Sequence, residues 1–386
     1  MIEVETIVVG GGPAGASCAR ALQEQGREVL VLDKASFPRE KPCAGWVGRE
    51  VWEALGVRPL DYPYPLTQVG TLRVSWKKFS FSIPVRLHAV RRTEFDHWLL
   101  SLSGVRVETH QVEKVRIENG RYLLDGTYRC RYLVGAGGTN CPVARTLFKT
   151  INPRPSSSLI VAVAQEVPVE YTTDLRGASP LIENPEESCR VWFFYEGIPG
   201  YAWYLPKTGG TVNVGIGGKA ISIRNQGRTL LSYWKQFLHY LLQEGLLDKS
   251  FASEPSIQDR PPTHGYYLWE GPRILKEGNA FVLGDAAGLA TADMGEGIAN
   301  AVCSGLLVAR SIREMSNGKG TVSLHRALVK LRGGIDLRRA LIGIGSRRIL
   351  NGLDSYGDTR GLRGLCGLRR WSEPWPFSRI LQFFYR

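Results

Sequence analysis

The sequence predicts an α/β protein: a Rossmann-like nucleotide-binding domain, an antiparallel β-rich domain inserted into it, and a C-terminal helical region. Three observations predict this class. Ile7 to Leu22 reads as buried strand, glycine turn and helix, residues 158–218 alternate like strands and are rich in aromatics, and Gly278 to Ile298 returns to buried strand and glycine-rich helix start. The nucleotide-binding domain is therefore discontinuous, over 1–61, 91–152 and 273–316, with the inserted domain over 62–90 and 153–272 and the helical region over 317–386.

The first stretch contains Gly10-x-Gly12-x-x-Gly15. Gly10 permits a tight turn, Gly12 lets backbone N–H groups approach a diphosphate, and Gly15 lets the helix pack closely on the strand. Pro13 falls in the first helical turn, where a missing N–H costs nothing, and Ala14 follows it at the helix start. The helix N-terminus holds an anion without a basic side chain. A second strand, Glu28 to Leu32, ends in Asp33, the acid a ribose diol needs about 20 residues beyond the glycines.

Lys34 to Trp46 is a loop rich in Pro and Gly, and a dozen structureless residues in a compact domain point to function. Cys43 stands in Pro42-Cys-Ala-Gly45, where small neighbours such as Ala44 let the backbone lie close to a flat ligand. A helix is expected from Val47 to Leu55. From Thr71 the pattern alternates in two strands joined by a turn at Lys77-Lys78. Arg91 to Leu100 returns to helix, with Thr93 as N-cap and Asp96 in the capping-box position. Strands follow at Val105 to Val107, Val112 to Ile117 and Tyr122 to Leu124, the last two joined by Asn119-Gly120, a hairpin signal. Arg131 to Thr139 is a buried strand running into glycines.

In the inserted domain, Arg190 to Tyr195, Tyr201 to Leu205 and Thr211 to Ile216 read as an antiparallel meander. By alternation Tyr201, Trp203 and Leu205 share one face and line a surface suited to an apolar chain. A helix over about Arg228 to Glu244 and a link at Pro261-Pro262 lead back to the strand ending in Gly284-Asp285, after which Gly295-Glu-Gly-Ile298 opens a helix through Met315. Leu324, Leu328 and Leu331 keep helical spacing beyond it, and Phe377, Ile380, Leu381 and Phe384 form a stripe that suits either a docked helix or a membrane-surface anchor.

Composition narrows the classes further. No apolar run approaches the roughly 18 residues of a membrane span, and the first strand begins at once, leaving no room for a leader. Seven cysteines without a C-x-x-C spacing argue against a disulfide framework or thiolate metal site and for a reducing, cytoplasmic setting; no metal is expected. The net charge is +13, enriched towards the end at Arg338, Arg339, Arg347, Arg348, Arg360, Arg363, Arg369 and Arg370. No nucleic-acid-binding module accompanies it, so acidic partners or anionic lipid are the expected beneficiaries.

Gly284-Asp285 offers a carboxylate to a second polyol, and the helix start at Gly297 offers donors to an electron-rich ring. A ligand spanning both ends is long: FAD has a ribitol hydroxyl for Asp285 and a ring whose N1–C2=O edge gains negative charge on reduction.

The chain resembles the flavoprotein hydroxylase architecture through Gly10-x-Gly12-x-x-Gly15 and Gly284-Asp285. The superfamily's middle Gly-Ala-Asp-Gly motif reads Gly135-Ala-Gly-Gly138 here, so an acid is missing at Gly137. Within that superfamily the chain is similar to the geranylgeranyl reductase family through Phe37 to Gly45, Gly200 to Lys207 and Gly295-Glu-Gly-Ile298. The family pattern Tyr-x-Trp-x-Phe-Pro is met at Tyr201, Trp203 and Pro206, with Leu205 in the Phe place. The resemblance implies an FAD-dependent reductase that saturates C=C bonds of a prenyl chain, in a lipid precursor or quinone tail, with a monooxygenase or halogenase of the same fold as the alternative. It implies Cys43 near the flavin, Arg92 in contact with the cofactor, and Cys43 and Tyr201 as candidate proton donors or positioning groups. The cofactor set is then Gly10, Gly12, Pro13, Ala14, Gly15, Asp33, Lys34, Cys43, Ala44, Arg92, Gly284, Asp285, Gly295, Gly297 and Ile298, and the substrate set Tyr201, Trp203 and Leu205. With no second GxGxxG, the expected electron donor is NAD(P)H bound transiently or a ferredoxin drawn to the basic surface; peripheral membrane contact is expected through the basic C-terminal region.

Overall fold

The computed structural model describes residues 1–77, 79–168, 189–208, 210–247, 259–292 and 294–317. The chain opens with β1 (Ile2–Val9), α1 (Pro13–Gln23) and β2 (Val29–Asp33), a βαβ unit whose strands pair in parallel. A short strand β3 (Trp46–Gly48) then precedes α2 (Arg49–Leu55). The expected helix start at Val47 is thus wrong. Trp46, Val47 and Gly48 pair antiparallel with Ala89, His88 and Leu87, and this sheet edge claims them before the helix begins.

The expected hairpin is longer than the alternation suggested: β4 (Thr67–Trp76) and β5 (Phe79–Ala89) pair along nearly their whole length, with Lys77 at positive φ in the turn; Lys78 lies outside the described residues. After α3 (Arg92–Ser101) come β6 (Arg106–Thr109), β7 (Val115–Glu118), β8 (Arg121–Leu124), β9 (Tyr128–Gly135) and α4 (Pro142–Leu147). The β7–β8 turn at Asn119-Gly120 has both residues at positive φ, as the sequence signal requires. The N-cap of α3 is Arg91 without a side-chain cap, so Thr93 does not cap it. Asp96 is drawn instead into a buried ion pair with Arg92.

The inserted stretch supplies β10 (Leu159–Pro168), β11 (Arg190–Phe193), β12 (Gly200–Lys207) and β13 (Thr211–Lys219), then α5 (Ala220–Asn225), α6 (Leu230–Gln243) and β14 (Thr263–Tyr267). Strands β11, β12 and β13 form the expected meander. Helix α5 was not legible from spacing. Thr229 caps α6 through a capping box with Ser232, so the helix begins at Leu230, two residues beyond the expected start. The chain ends its described part with β15 (Lys276–Glu277), β16 (Ala280–Val282), the short helix α7 (Gly284–Ala287) and α8 (Ile298–Ser316). Gly284-Asp285 therefore opens a helical turn one residue past the strand. The features expected beyond Asn317, namely the leucines at 324, 328 and 331, the arginine-rich segment and the terminal stripe, lie outside the described residues.

Among the described residues these strands form two sheets. One runs β15-β16-β9-β1-β2-β6, parallel from β16 to β6, with β7 and β8 added beside β9. The other runs β14-β10-β13-β12-β11-β4-β5-β3 and is antiparallel except where β11 meets β4. Helices α1 and α8 pack against each other so closely that a Cβ on Gly305 would lie 2.4 Å from the Ala14 carbonyl oxygen. This contact packs the chain's first helix directly against its last described one. Among the described residues no helix is long and apolar enough to cross a membrane.

Candidate cofactor and substrate site

At the C-terminal end of β1 the glycine turn is pinned from two sides. Gly10 has φ +110°, and a Cβ there would lie 2.5 Å from the Ala136 carbonyl oxygen; a Cβ on Gly15 would lie 1.9 Å from the Gly10 carbonyl oxygen. Gly12 is the extended N-cap of α1, with no side chain capping it and Pro13 at the first helical position, so the helix start is open to an anion. Asp33 is buried at the tip of β2, where its carboxylate accepts the Gly11 N–H at 2.7 Å and the Ala35 N–H at 2.9 Å. Lys34 is exposed beside it. The loop holding Gly137 packs on this turn, its Cα 2.7 Å from where a Gly10 Cβ would be. The tight backbone thus persists without the acid.

The two glycine motifs, remote in sequence, meet here. A Cβ on Gly284 would lie 3.2 Å from the Ala14 Cβ, and one on Gly297 would lie 3.3 Å from Asp285 Oδ1. Asp285 thus faces the start of α8, whose N-cap is Gly297 and whose first residue, Ile298, is buried. The Glu296 carboxylate accepts the Ala299 N–H at 3.0 Å in the first turn.

A charged cluster that spacing did not reveal stands between Asp285 and the Cys43 loop. Lys41 Nζ lies 2.7 Å from His264 Nε2, and the same nitrogen lies 3.4 Å from Asp285 Oδ2. Burial lowers the Lys41 pKa to about 8, with Asp285 and Cys43 opposing and Arg92 and Arg39 assisting that fall. Burial also lowers His264. For Asp285 burial works the other way, but the His264 hydrogen bond and the Lys41 and Arg92 charges win, holding the carboxyl at about 2. Arg92 is buried and bidentate to Asp96, with Nε and Nη2 each 2.8 Å from its oxygens. Burial opposes the guanidinium charge, yet Asp96 and the Cys43 sulfur beside it leave its pKa raised. Arg39 stacks over Phe37, reaches within 3.5 Å of Asp96, and stands beside Gly12. Lys41 and Arg39 belong to the Phe37 to Gly45 stretch, so their signal was present; His264 carried none.

Cys43 is partly buried, its Sγ accepting the Gly45 N–H at 3.3 Å. Ala44 packs with Trp203 and Leu205 in one apolar cluster. The loop is held from behind. Gly45, at positive φ, accepts from the Val90 N–H at 2.9 Å, and the Val90 carbonyl accepts from buried Lys207 Nζ at 2.8 Å. Lys207 also pairs with Glu166 at 2.5 Å; burial lowers the Lys207 pKa and the Glu166 charge offsets part of that.

On β12, Tyr201, Trp203 and Leu205 do share a face. Tyr201 and Trp203 line a narrow cleft with Tyr266 and Gly295, whereas Leu205 is fully buried and does not reach it. The Tyr201 hydroxyl donates to the Met294 carbonyl at 2.6 Å. The Trp203 indole N–H donates to Asn213 Oδ1 at 2.8 Å, and Asn213 Nδ2 donates to the Cys43 carbonyl at 3.0 Å. One buried amide thus ties the cleft tryptophan to the cysteine loop, a link between residues 170 apart in sequence. Gly295 has positive φ, and a Cβ there would strike the Tyr266 hydroxyl at 2.3 Å. The apolar cleft therefore opens at the segment that leads into α8.

A family described as an NAD(P)-binding Rossmann-like domain matches residues 8–39. Menaquinone reductase of Mycobacterium tuberculosis is 31% identical over 255 residues, covering 60% of this chain and 59% of the relative. Digeranylgeranylglycerophospholipid reductase 1 of Methanopyrus kandleri is 29% identical over 231 residues, covering 56% and 58%. The chain thus matches less than two thirds of the length of these two relatives. A geranylgeranyl bacteriochlorophyll reductase-like protein of Thermoplasma acidophilum has the same fold, with a TM-score of 0.66, 20% identity, and coverage of 86% of this chain and 83% of the other.

Proposed function

We propose, from its kinship with the geranylgeranyl reductase family of FAD-dependent oxidoreductases, that this chain is an FAD-dependent reductase saturating C=C bonds of a prenyl chain. The observation that carries the reading is the junction described above. The aromatic cleft of Tyr201 and Trp203 opens at Gly295, and the helix that follows meets both Asp285 and, through Gly284, the glycine turn.

The residues present fit FAD. The uncapped start of α1 and the open backbone at Gly12 suit a diphosphate, and Asp33 retains oxygen lone pairs for a ribose. Asp285, kept ionised, suits a ribitol hydroxyl, and the Gly295 to Ile298 segment presents a helix start to the ring. Arg39, Lys41 and Arg92 add positive charge on the Cys43 side. Lys34, being exposed, serves at most the outer end of the nucleotide. Bound FAD, once reduced by the electron donor, would supply the hydride for one alkene carbon.

The chain's own residues do the rest. Burial around Trp203 and Leu205 excludes water, and Tyr201 and Trp203 position the apolar chain. The second alkene carbon needs a proton, and of the two candidates, Cys43 and Tyr201, we assign it to Cys43. The Tyr201 hydroxyl already donates to the Met294 carbonyl, whereas the Cys43 sulfur accepts the Gly45 N–H and is not seen donating to another group among the described residues, which favours the cysteine as donor. Arg92 beside the sulfur stabilises the thiolate left behind. Replacing Cys43 with alanine is expected to keep the flavin absorbance and abolish alkene reduction; undiminished turnover removes the cysteine's role.

We extend the reading to the domain division at 61/62, 90/91, 152/153 and 272/273, to NAD(P)H or a ferredoxin as donor, and to a cytoplasmic enzyme touching the membrane through its basic C-terminal region. Expression in a host with unsaturated prenyl lipids and quinones tests the function. Mass spectrometry should find products heavier by one H2 for each reduced bond. Unchanged lipids together with substrate-coupled oxygen consumption would instead favour the monooxygenase or halogenase alternative.

A further inference from the structure

One ladder row crosses the second sheet from solvent to the charged cluster. Phe79 of β5 stands opposite Trp76 of β4, Trp76 opposite Phe193 of β11, and Phe193 opposite Tyr201 of β12. Tyr201 then faces Gly217 of β13, Gly217 faces Ala162 of β10, and Ala162 faces His264 of β14. Residues opposite one another on neighbouring strands share a sheet face. Packing agrees, since Trp76, Phe193, Tyr201 and Ala162 belong to one apolar cluster. Trp76 and Phe79 stack at 6.3 Å, and Phe193 and Tyr201 meet at 5.7 Å. Along the row Phe79 is 61% exposed and Phe193 2%. At about 4.8 Å per strand, Phe79 lies roughly 15 Å from Tyr201. Past Tyr201 the row turns small at Gly217 and Ala162, and both line the cleft.

The outer end of the row has the chemistry of a membrane interface. From Thr67 to Ala89 the hairpin carries Arg73, Lys77, Lys78 and Arg86 and no Asp or Glu. Lys77 lies over the Trp76 ring at 5.4 Å, so a cation and two aromatics share the tip. Such side chains place apolar bodies among lipid tails and charge among anionic headgroups.

We propose that the β4–β5 hairpin tip seats on an anionic bilayer surface and that the row Phe79, Trp76, Phe193 and Tyr201 leads a membrane-held prenyl chain to the cleft. The inference rests on the cleft being the substrate site. It places the contact on the hairpin, separately from the basic C-terminal region.

The test is co-sedimentation of the full chain, loaded with FAD, on vesicles of phosphatidylglycerol mixed with phosphatidylcholine and on phosphatidylcholine alone. Wild type should pellet with the anionic vesicles and remain in solution with the neutral ones. Phe79→Ser and Lys77→Glu should each lower binding to anionic vesicles about tenfold, with flavin content and circular dichroism unchanged. Wild-type binding by both variants, equal binding to neutral vesicles, or no binding by wild type overturns the proposal. The assay needs no turnover, so its failure leaves the reductase reading intact. Normal pelleting with no alkene reduction counts against the reductase reading alone.

Discussion

Replacing Asp96 with alanine is expected to lower the unfolding free energy by about 3–5 kcal/mol, the cost of stranding a buried charge. The Asp96 side chain is wholly inaccessible and that of Arg92 is 7% exposed, so neither exchanges its partner for water. Loss of the carboxylate leaves Arg92 without its two 2.8 Å bonds and removes the contact with Arg39. The guanidinium, which already repels Lys41, then lacks its neutralising partner. Asp96→Asn keeps the shape and one acceptor and should cost less. The check is the urea midpoint at constant m-value, for both variants. A loss below about 1 kcal/mol would mean that the site opens to water, because exposed pairs contribute no more than that.

Asp96 also shows where sequence reading goes astray. Thr93-x-x-Asp96 fits a capping box, but the same acid sits four residues after Arg92, and the i,i+4 pair is what the fold uses. Local spacing permitted both; burial of this helix face decided between them. At Trp46 to Gly48 the conflict was between helix pattern and a sheet edge at Leu87 to Ala89, remote in sequence, which no local signal encodes.

The nucleotide end was legible because each requirement there is local: glycines where backbones collide, a proline at a helix start, an acid at a strand tip. Asp285 was legible as an acid beside a glycine, but its partners were not. Lys41 and His264 are 223 residues apart and meet only because the Cys43 loop and β14 approach Asp285 from two directions. Alternation correctly placed Tyr201, Trp203 and Leu205 on one face, yet it could not tell which of them would be buried away from the cleft. Asn213 has the most ordinary signal of all, one polar residue in a strand. It matters because its amide offers one acceptor and one donor in the two directions required.

Gly15→Ala sets two effects against each other. Alanine is the better helix former by about 1 kcal/mol, and Gly15 lies inside α1, so propensity alone predicts a gain in stability. Sterics predict the reverse. The added Cβ would sit 1.9 Å from the Gly10 carbonyl oxygen and 3.1 Å from Val8 Cγ1, and the first of these is backbone, not a side chain free to turn aside. Nor can Gly10 retreat, since it already abuts the Ala136 carbonyl. Overpacking of this kind costs about 1–3 kcal/mol or more, so the clash should exceed the propensity gain and α1 should tilt away from β1. The displaced helix start no longer aims its N–H groups at a diphosphate, and purified protein should lose both flavin colour and several degrees of thermal midpoint. Gly137→Ala is the control, because a Cβ there meets Cys141 at 3.4–3.5 Å, ordinary contact. It should keep wild-type stability and colour. If Gly15→Ala instead melts at or above the wild-type midpoint, the turn has slack that the close approach of Gly10 and Gly15 denies it; if it melts lower but retains its flavin, the diphosphate is held by something other than the start of α1.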